Sequence, residues 1–285
     1  MQMQRLKILA RHLSSATKKP KSQKPVCLVL GAGRGIGGNV AQKFALEGYH
    51  SVLIRRSDSS ALSSQVKEIQ DAGGDASGFL VNAINDGAIE ELVDNVEANI
   101  GEIAVTVYNL GAQVGTRSLE DTTLKTFEQG WKLGCQGLFR LAKAVCPLMV
   151  KRGHGTILVT SATSAVRGNA GQHSHAAAMG ARRLLSQTLH AEFAPDNIHI
   201  AHIVIDGAVD APDTLGKMLG PERYQQMREA HGLDKDGLLV PSSIADTFWH
   251  LSQQHRSAWT FEMDLRSYSD VAWWNSPVNM NVKGF

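Results

Sequence analysis

The sequence predicts one α/β domain, a doubly wound parallel sheet of about seven strands with helices on both faces. Three observations predict it. Residues 26–37 read V-C-L-V-L-G-A-G-R-G-I-G, an apolar run that breaks into a glycine-rich turn and opens a helix-patterned segment. From there strand and helix patterns alternate to the end, with no linker, repeat or low-complexity stretch. Strands such as I-H-I-A-H-I-V-I (198–205) are apolar at six of eight positions and rich in β-branched residues, as in a sheet covered on both faces. A chain of 285 residues suits one core of that size.

Strands are expected at Val26–Leu30, Ser51–Arg55, Gly78–Val81, Ala104–Tyr108, Gly155–Ser161, Ile198–Ile205 and Ala258–Asp264. Helices lie between them, notably Leu124–Lys151 and His173–Phe193, and both have small faces. Gly130, Gly134 and Gly137 fall at i, i+4 and i+7 of the first; Ala176, Ala177, Ala178, Gly180 and Ala181 open the second. Glycine inside a helix costs roughly 1 kcal/mol relative to alanine, so three require a reason. Close approach of helix backbones across the interface of a homo-oligomer is one; a distorted helix without a partner is the other. Residues 211–239 hold Pro212, Gly216, Gly220 and Pro221 and no clean strand, and read as a helical lid before the last helix and strand. Trp273 and Trp274 cover a neighbouring subunit, close the pocket or pack in the core.

Charge is near balance, 29 basic against 27 acidic residues, which gives no reason to expect a nucleic-acid partner. The balance hides an asymmetry. Seven of the basic residues (Arg5, Lys7, Arg11, Lys18, Lys19, Lys21, Lys24) precede the glycine turn, whereas the first acidic residue is Glu47. Leu6, Leu9 and Leu13 share a face of a possible helix, with Ser14, Ser15 and Thr17 following. An amphipathic, arginine-bearing, acid-free start has the composition of a mitochondrial transit peptide, which makes residues 1–24 a targeting segment and the matrix the expected location; a basic tail on a cytoplasmic protein is the alternative. No run reads as long enough to span a membrane. Cys27, Cys135 and Cys146 are scattered without metal-ligand spacing and read as buried thiols.

The turn itself points to a nucleotide. Gly31 permits the sharp bend and Gly33 and Gly35 a close approach to a pyrophosphate. Gly37 lets the helix opened by Ile36 pack close, with its N-terminal amides toward the phosphates. NAD binders place a carboxylate at the end of the second strand for the ribose hydroxyls; NADP binders place arginine there for the 2′-phosphate. Here stand Arg55 and Arg56, with Asp58 only afterwards, and Arg34 adds a third cation from within the turn. NADP(H) is the expected cofactor.

These residues resemble the short-chain dehydrogenase/reductase family, a Rossmann fold, over about residues 25–264. The family's T-G-x-x-x-G-I-G has Leu30 for its threonine ahead of Gly31, Gly35, Ile36 and Gly37. Its aspartate beside the adenine corresponds to Asn82, and its N-N-A-G to Tyr108-Asn109-Leu110-Gly111, which keeps Asn109 and Gly111 as cofactor contacts. The resemblance implies a tyrosine acid/base, a lysine four residues later, a serine that orients the carbonyl and a helix asparagine. None of the four is present. The family's Y-x-A-S-K falls on His175-Ala-Ala-Ala-Met179, the serine on Ala162, the asparagine on Gly134, and the proline after strand six on Asp206. No Y-x-x-x-K occurs anywhere; Tyr224 and Arg228 have similar spacing but lie in the lid.

Loss of a general acid slows a hydride transfer by about 10²–10⁴-fold without forbidding it. Histidine titrates near neutrality without a lysine's help, so His175 is a candidate acid, with Ser161 one residue from the serine position. Three readings follow. The first is an atypical NADP(H)-dependent oxidoreductase acting on a small-molecule carbonyl/alcohol pair. The second is a non-catalytic NADP(H)-binding protein, a sensor or complex subunit, in which His175 fills space. The third is a non-redox enzyme on the same scaffold, which has no need for the arginines.

Overall fold

β1 (Val26–Leu30) is buried from end to end, because helices cover the sheet on both sides. The computed structural model describes residues 24–111, 116–232 and 235–275. The expected targeting segment lies outside these except for Lys24. Around β1 stand β2 (His50–Arg55), β3 (Asp75–Leu80), β4 (Ile103–Tyr108), β5 (Gly155–Ala162), β6 (Ile198–Ile205) and β7 (Glu262–Leu265). They form one parallel sheet of seven strands in the order β3-β2-β1-β4-β5-β6-β7. The reversal of order between β1 and β4 opens a crevice at the carboxyl ends of the strands, where α/β sheets bind ligands.

The alternation of β1 divides the core. Val26, Leu28 and Leu30 face α3 (Ala88–Asn99), α4 (Leu124–Arg152) and α5 (His173–Phe193), which contribute Ile89, Val93, Leu138, Leu141, Met149 and Leu189. Cys27 and Val29 face α1 (Ile36–Leu46) and α2 (Ser59–Asp71), and the same layer holds Phe44, Leu62 and Ile69. Beyond the short helix α6 (Pro221–His231), α7 (Pro241–Ser252) adds Ile244, Phe248 and Leu251 to that layer.

Three expectations need correction. The segment before β7 is a short 3₁₀ turn, Arg256–Ala258, and Trp259 stacks on His199 at 4.8 Å, so the strand begins only at Glu262. The second concerns α4, whose 29 residues are long and apolar enough to cross a membrane by length and composition. Half of its most apolar stretch is buried, and it packs here as a core helix. The third concerns its glycines, which make close approaches within this chain. A β-carbon on Gly130 meets Ser174 Oγ of α5 at 2.0 Å, and one on Gly137 meets the Tyr108 hydroxyl at 2.2 Å. The helix is also distorted, by a π turn at Lys132–Gln136.

One buried ionisable cluster ties β6 to β7 and α5. His202 Nδ1 lies 3.0 Å from Glu262 Oε2, and Arg183 grips the same carboxylate with two hydrogen bonds of 2.6 and 2.7 Å. Burial pushes the His202 pKa down to about 4 against the pull of Glu262. The unfolded chain takes up this proton near the ordinary 6.5 and the folded protein only near 4. Stability is therefore full above pH 6.5 and falls as the pH drops through that window, by roughly 3 kcal/mol in all. Denaturation at pH 7 and pH 4.5 should show this loss, and His202→Gln should remove most of it; an undiminished loss in the variant contradicts the assignment.

Candidate functional site

The crevice at the switch point is a cleft of about 470 Å³. Twelve of the thirteen residues singled out from the sequence as site candidates line it: Gly31, Gly33, Gly35, Ile36, Gly37, Arg55, Arg56, Asn82, Asn109, Gly111, Ser161 and His175; Arg34 does not. The glycine turn requires its glycines. Gly31 has φ +90°, and a β-carbon there stands 2.6 Å from the Asn109 carbonyl; one on Gly37 stands 2.3 Å from the Gly31 carbonyl. Asn109 holds this geometry, its Nδ2 donating to Gly31 O at 2.8 Å and its backbone N–H to Leu30 O at 2.9 Å. Asn82 presents a buried Oδ1 with no hydrogen-bond partner among the described residues. A base carrying an amino group satisfies such an acceptor.

The three arginines differ in what they meet. Arg34 turns outward to Glu68 (2.5 Å) and Ser64 (3.2 Å), and its guanidinium holds the Glu68 carboxyl below the usual range. Arg55, mostly buried, binds Gln65 Oε1 at 2.6 Å and Asp213 Oδ2 at 3.1 Å. Arg56 is exposed at the cleft. Asp213 comes from the lid segment, which begins with a π turn, Pro212–Gly216, and is closed at its root by a parallel bridge between Val209 and Leu239. Burial opposes the charge on Asp213, yet the Arg34 amide, Lys217 and Arg55 hold its carboxyl below the ordinary value.

On the other wall α5 brings His175, Met179 and Arg182 into the cleft at i, i+4 and i+7, one face of the helix. All three are buried. At the end of β5 and just after it, the hydroxyls of Thr160, Ser161 and Ser164 are buried without a partner among the described residues, and Thr160 and Ser161 line the cleft. The Ala162 position has no hydroxyl to offer, so Ser161 is the serine of this wall.

Arg182 is the residue that sequence reasoning missed here. Its Nε donates to Gly134 O at 2.5 Å, Nη1 to Thr160 O at 2.6 Å, and Nη2 to Leu110 O at 2.7 Å and Leu133 O at 3.2 Å. The guanidinium also lies 5.0 Å from the centre of the Tyr108 ring. The π turn explains the acceptors: its wider winding frees the carbonyls of Leu133 and Gly134 from the helix ladder, and Tyr108 donates to the first of them at 2.5 Å. Burial pushes the Arg182 pKa down to about 10, which leaves it a cation at neutral pH. These four hydrogen bonds from the guanidinium all go to backbone carbonyls.

Contacts within the chain place two further groups of residues. Asp206, at the family's proline position, is buried and bound by Arg266 Nε (2.8 Å) and the Trp273 backbone amide (3.0 Å), while Arg266 also covers Trp274. The two tryptophans thus clasp the end of β6, and neither lines the cleft. Tyr224 and Arg228 both bind Asp210 at the root of the lid, and neither lines the cleft.

The family model for short chain dehydrogenases matches residues 25–215. The short-chain reductase protein NovJ of Streptomyces niveus is 32% identical over 241 residues, 82% of this chain and 88% of that protein. Among solved structures, a 7α-hydroxysteroid dehydrogenase complexed with NADH and 7-oxo glycochenodeoxycholic acid superposes with TM-score 0.73 at 25% identity, over 85% of this chain and 92% of that one. A metagenomic short-chain oxidoreductase in complex with NADP does so with TM-score 0.69 at 22% identity, over 85% and 96%.

Proposed function

The chain belongs to the short-chain dehydrogenase/reductase family, and from that premise we propose that it is an NADP(H)-dependent oxidoreductase for a small carbonyl/alcohol pair with His175 as its acid/base. The observation that carries this reading is a juxtaposition: His175 and the Ser161 hydroxyl, which has no partner among the described residues, line the same cleft as the glycine turn and Arg55. The dinucleotide fits the residues present, since the turn excludes side chains where a pyrophosphate approaches and Asn82 offers an unused acceptor to the base. Arg55 and Arg56 would hold the 2′-phosphate, with the Arg34 backbone N–H beside Arg55. When bound there, the nicotinamide would supply or accept the hydride. His175 delivers a proton to the carbonyl oxygen or removes it from the alcohol, and Ser161 donates a hydrogen bond to that oxygen.

NADPH is expected to bind at least tenfold more tightly than NADH, about 1.4 kcal/mol. Titration of the purified protein with both, by fluorescence or calorimetry, checks this, and charge reversal at Arg55 or Arg56 should narrow the gap. Equal dissociation constants contradict it.

One observation favours a second reading, a non-catalytic NADP(H)-binding protein. The lysine position is a buried methionine, Met179, and the nearby Arg182 is occupied by carbonyls. Tight NADPH binding without turnover across ketones, aldehydes and secondary alcohols supports that reading.

A further inference from the structure

We propose that Asp213 is a carboxylate stand-in for the cofactor's 2′-phosphate, latching the lid over that subsite until a phosphorylated nucleotide displaces it. The inference rests on the NADP(H) reading above. Three donors, two of them cations, converge on this one side chain. Oδ2 accepts the Arg34 backbone N–H at 2.8 Å and Arg55 Nη2 at 3.1 Å, and Oδ1 lies 3.3 Å from Lys217 Nζ. Backbone amide, guanidinium and ammonium around a single anion form the donor set of a phosphate ester. Two of the three donors belong to residues that the NADP(H) reading assigns to the 2′-phosphate. A carboxylate and a phosphate cannot share them.

The contact is also close and largely dry. A β-carbon on Gly33 would stand in van der Waals contact with Asp213 Oδ2 at 3.4 Å, so the carboxylate lies directly against the turn. Beside it Ala211 presses on the same turn, its methyl 2.9 Å from where a β-carbon on Gly35 would be. The side chains of Arg55 and Asp213 are 10% and 20% exposed, so an anion that leaves must be replaced by another. A 2′-phosphate can replace it, whereas a nucleotide with bare ribose hydroxyls cannot. Asp213 is therefore a specificity-determining residue: only the phosphorylated cofactor has the anion that releases the lid.

The test uses the whole protein and its Asp213→Asn variant, with adenosine 2′,5′-bisphosphate and 5′-ADP as probes. Calorimetry gives the affinities, and hydrogen exchange reads the amides of residues 213–219. A latch closed nine-tenths of the time weakens apparent affinity about tenfold. The bisphosphate is therefore expected to bind D213N about tenfold more tightly than the wild type. In the wild type it should speed exchange across 213–219, an effect that 5′-ADP lacks, and in D213N exchange should be fast without any ligand. Unchanged bisphosphate affinity in D213N, with the wild type still preferring it to 5′-ADP, overturns the latch alone. Weaker binding of 5′-ADP to D213N, with the bisphosphate unaffected, also overturns it and makes Asp213 an acceptor for ribose hydroxyls. If neither protein distinguishes the two probes, the NADP(H) reading fails and the latch with it.

Discussion

Arg182→Met is expected to lower the unfolding free energy by about 3–5 kcal/mol, because it strips a donor from four carbonyls at once. Those carbonyls belong to Leu110 after β4, Thr160 on β5 and Leu133 and Gly134 in the π turn, so one side chain joins two strand ends to a distorted helix. Methionine nearly conserves length but brings no N–H, although Leu133 O keeps the Tyr108 hydroxyl as a donor. Arg182→Lys keeps the cation and gathers its donors at a single nitrogen, which cannot reach the same spread of acceptors. Its loss should fall between wild type and the methionine variant. Urea denaturation monitored by circular dichroism provides the comparison. A change below about 0.5 kcal/mol in Arg182→Met, the range of ordinary surface substitutions, contradicts the clamp.

His175→Phe is expected to cut kcat for carbonyl reduction by roughly 10²-fold or more and to leave the NADPH dissociation constant nearly unchanged. The imidazolium alone donates a proton, so reduction by the wild type should fall as the pH rises through the histidine's apparent pKa, and the variant should lose that limb of the profile. Tyrosine at this position should serve poorly, since Met179 supplies no cation to lower a phenol from near 10. His175→Tyr is therefore expected to remain well below wild type. Activity that survives His175→Phe would leave an oxidoreductase and discard this acid.

The cofactor half of the site was legible because its signals are local. Gly31, Gly35 and Gly37 sit at fixed spacing between a strand and a helix, and the turn they dictate follows from backbone sterics alone. Strand boundaries fell within a few residues except at β7, where Trp259 stacks on His199 ahead of the ladder. What escaped depends on partners far along the chain. Asp213 meets Arg34 across 179 residues and Arg182 meets Gly134 across 48. Nothing in a lid aspartate or a helix arginine announces those pairings. The three glycines of α4 were visible as an anomaly, yet spacing cannot say whether the close neighbour is another subunit or the chain itself. Here Ser174 and Tyr108 are the neighbours of Gly130 and Gly137, and Gly134 turns its carbonyl to Arg182.

The central claim is that this cleft carries out hydride transfer without the family's tyrosine and lysine. NADPH labelled with deuterium at C4 of the nicotinamide, incubated with the protein and a panel of ketones and aldehydes, tests it by mass spectrometry of the products. Deuterium is expected on the carbinol carbon of at least one alcohol, and its loss in His175→Phe. Tight NADPH binding with no labelled alcohol from any member of the panel would contradict it and leave a nucleotide-binding protein without chemistry.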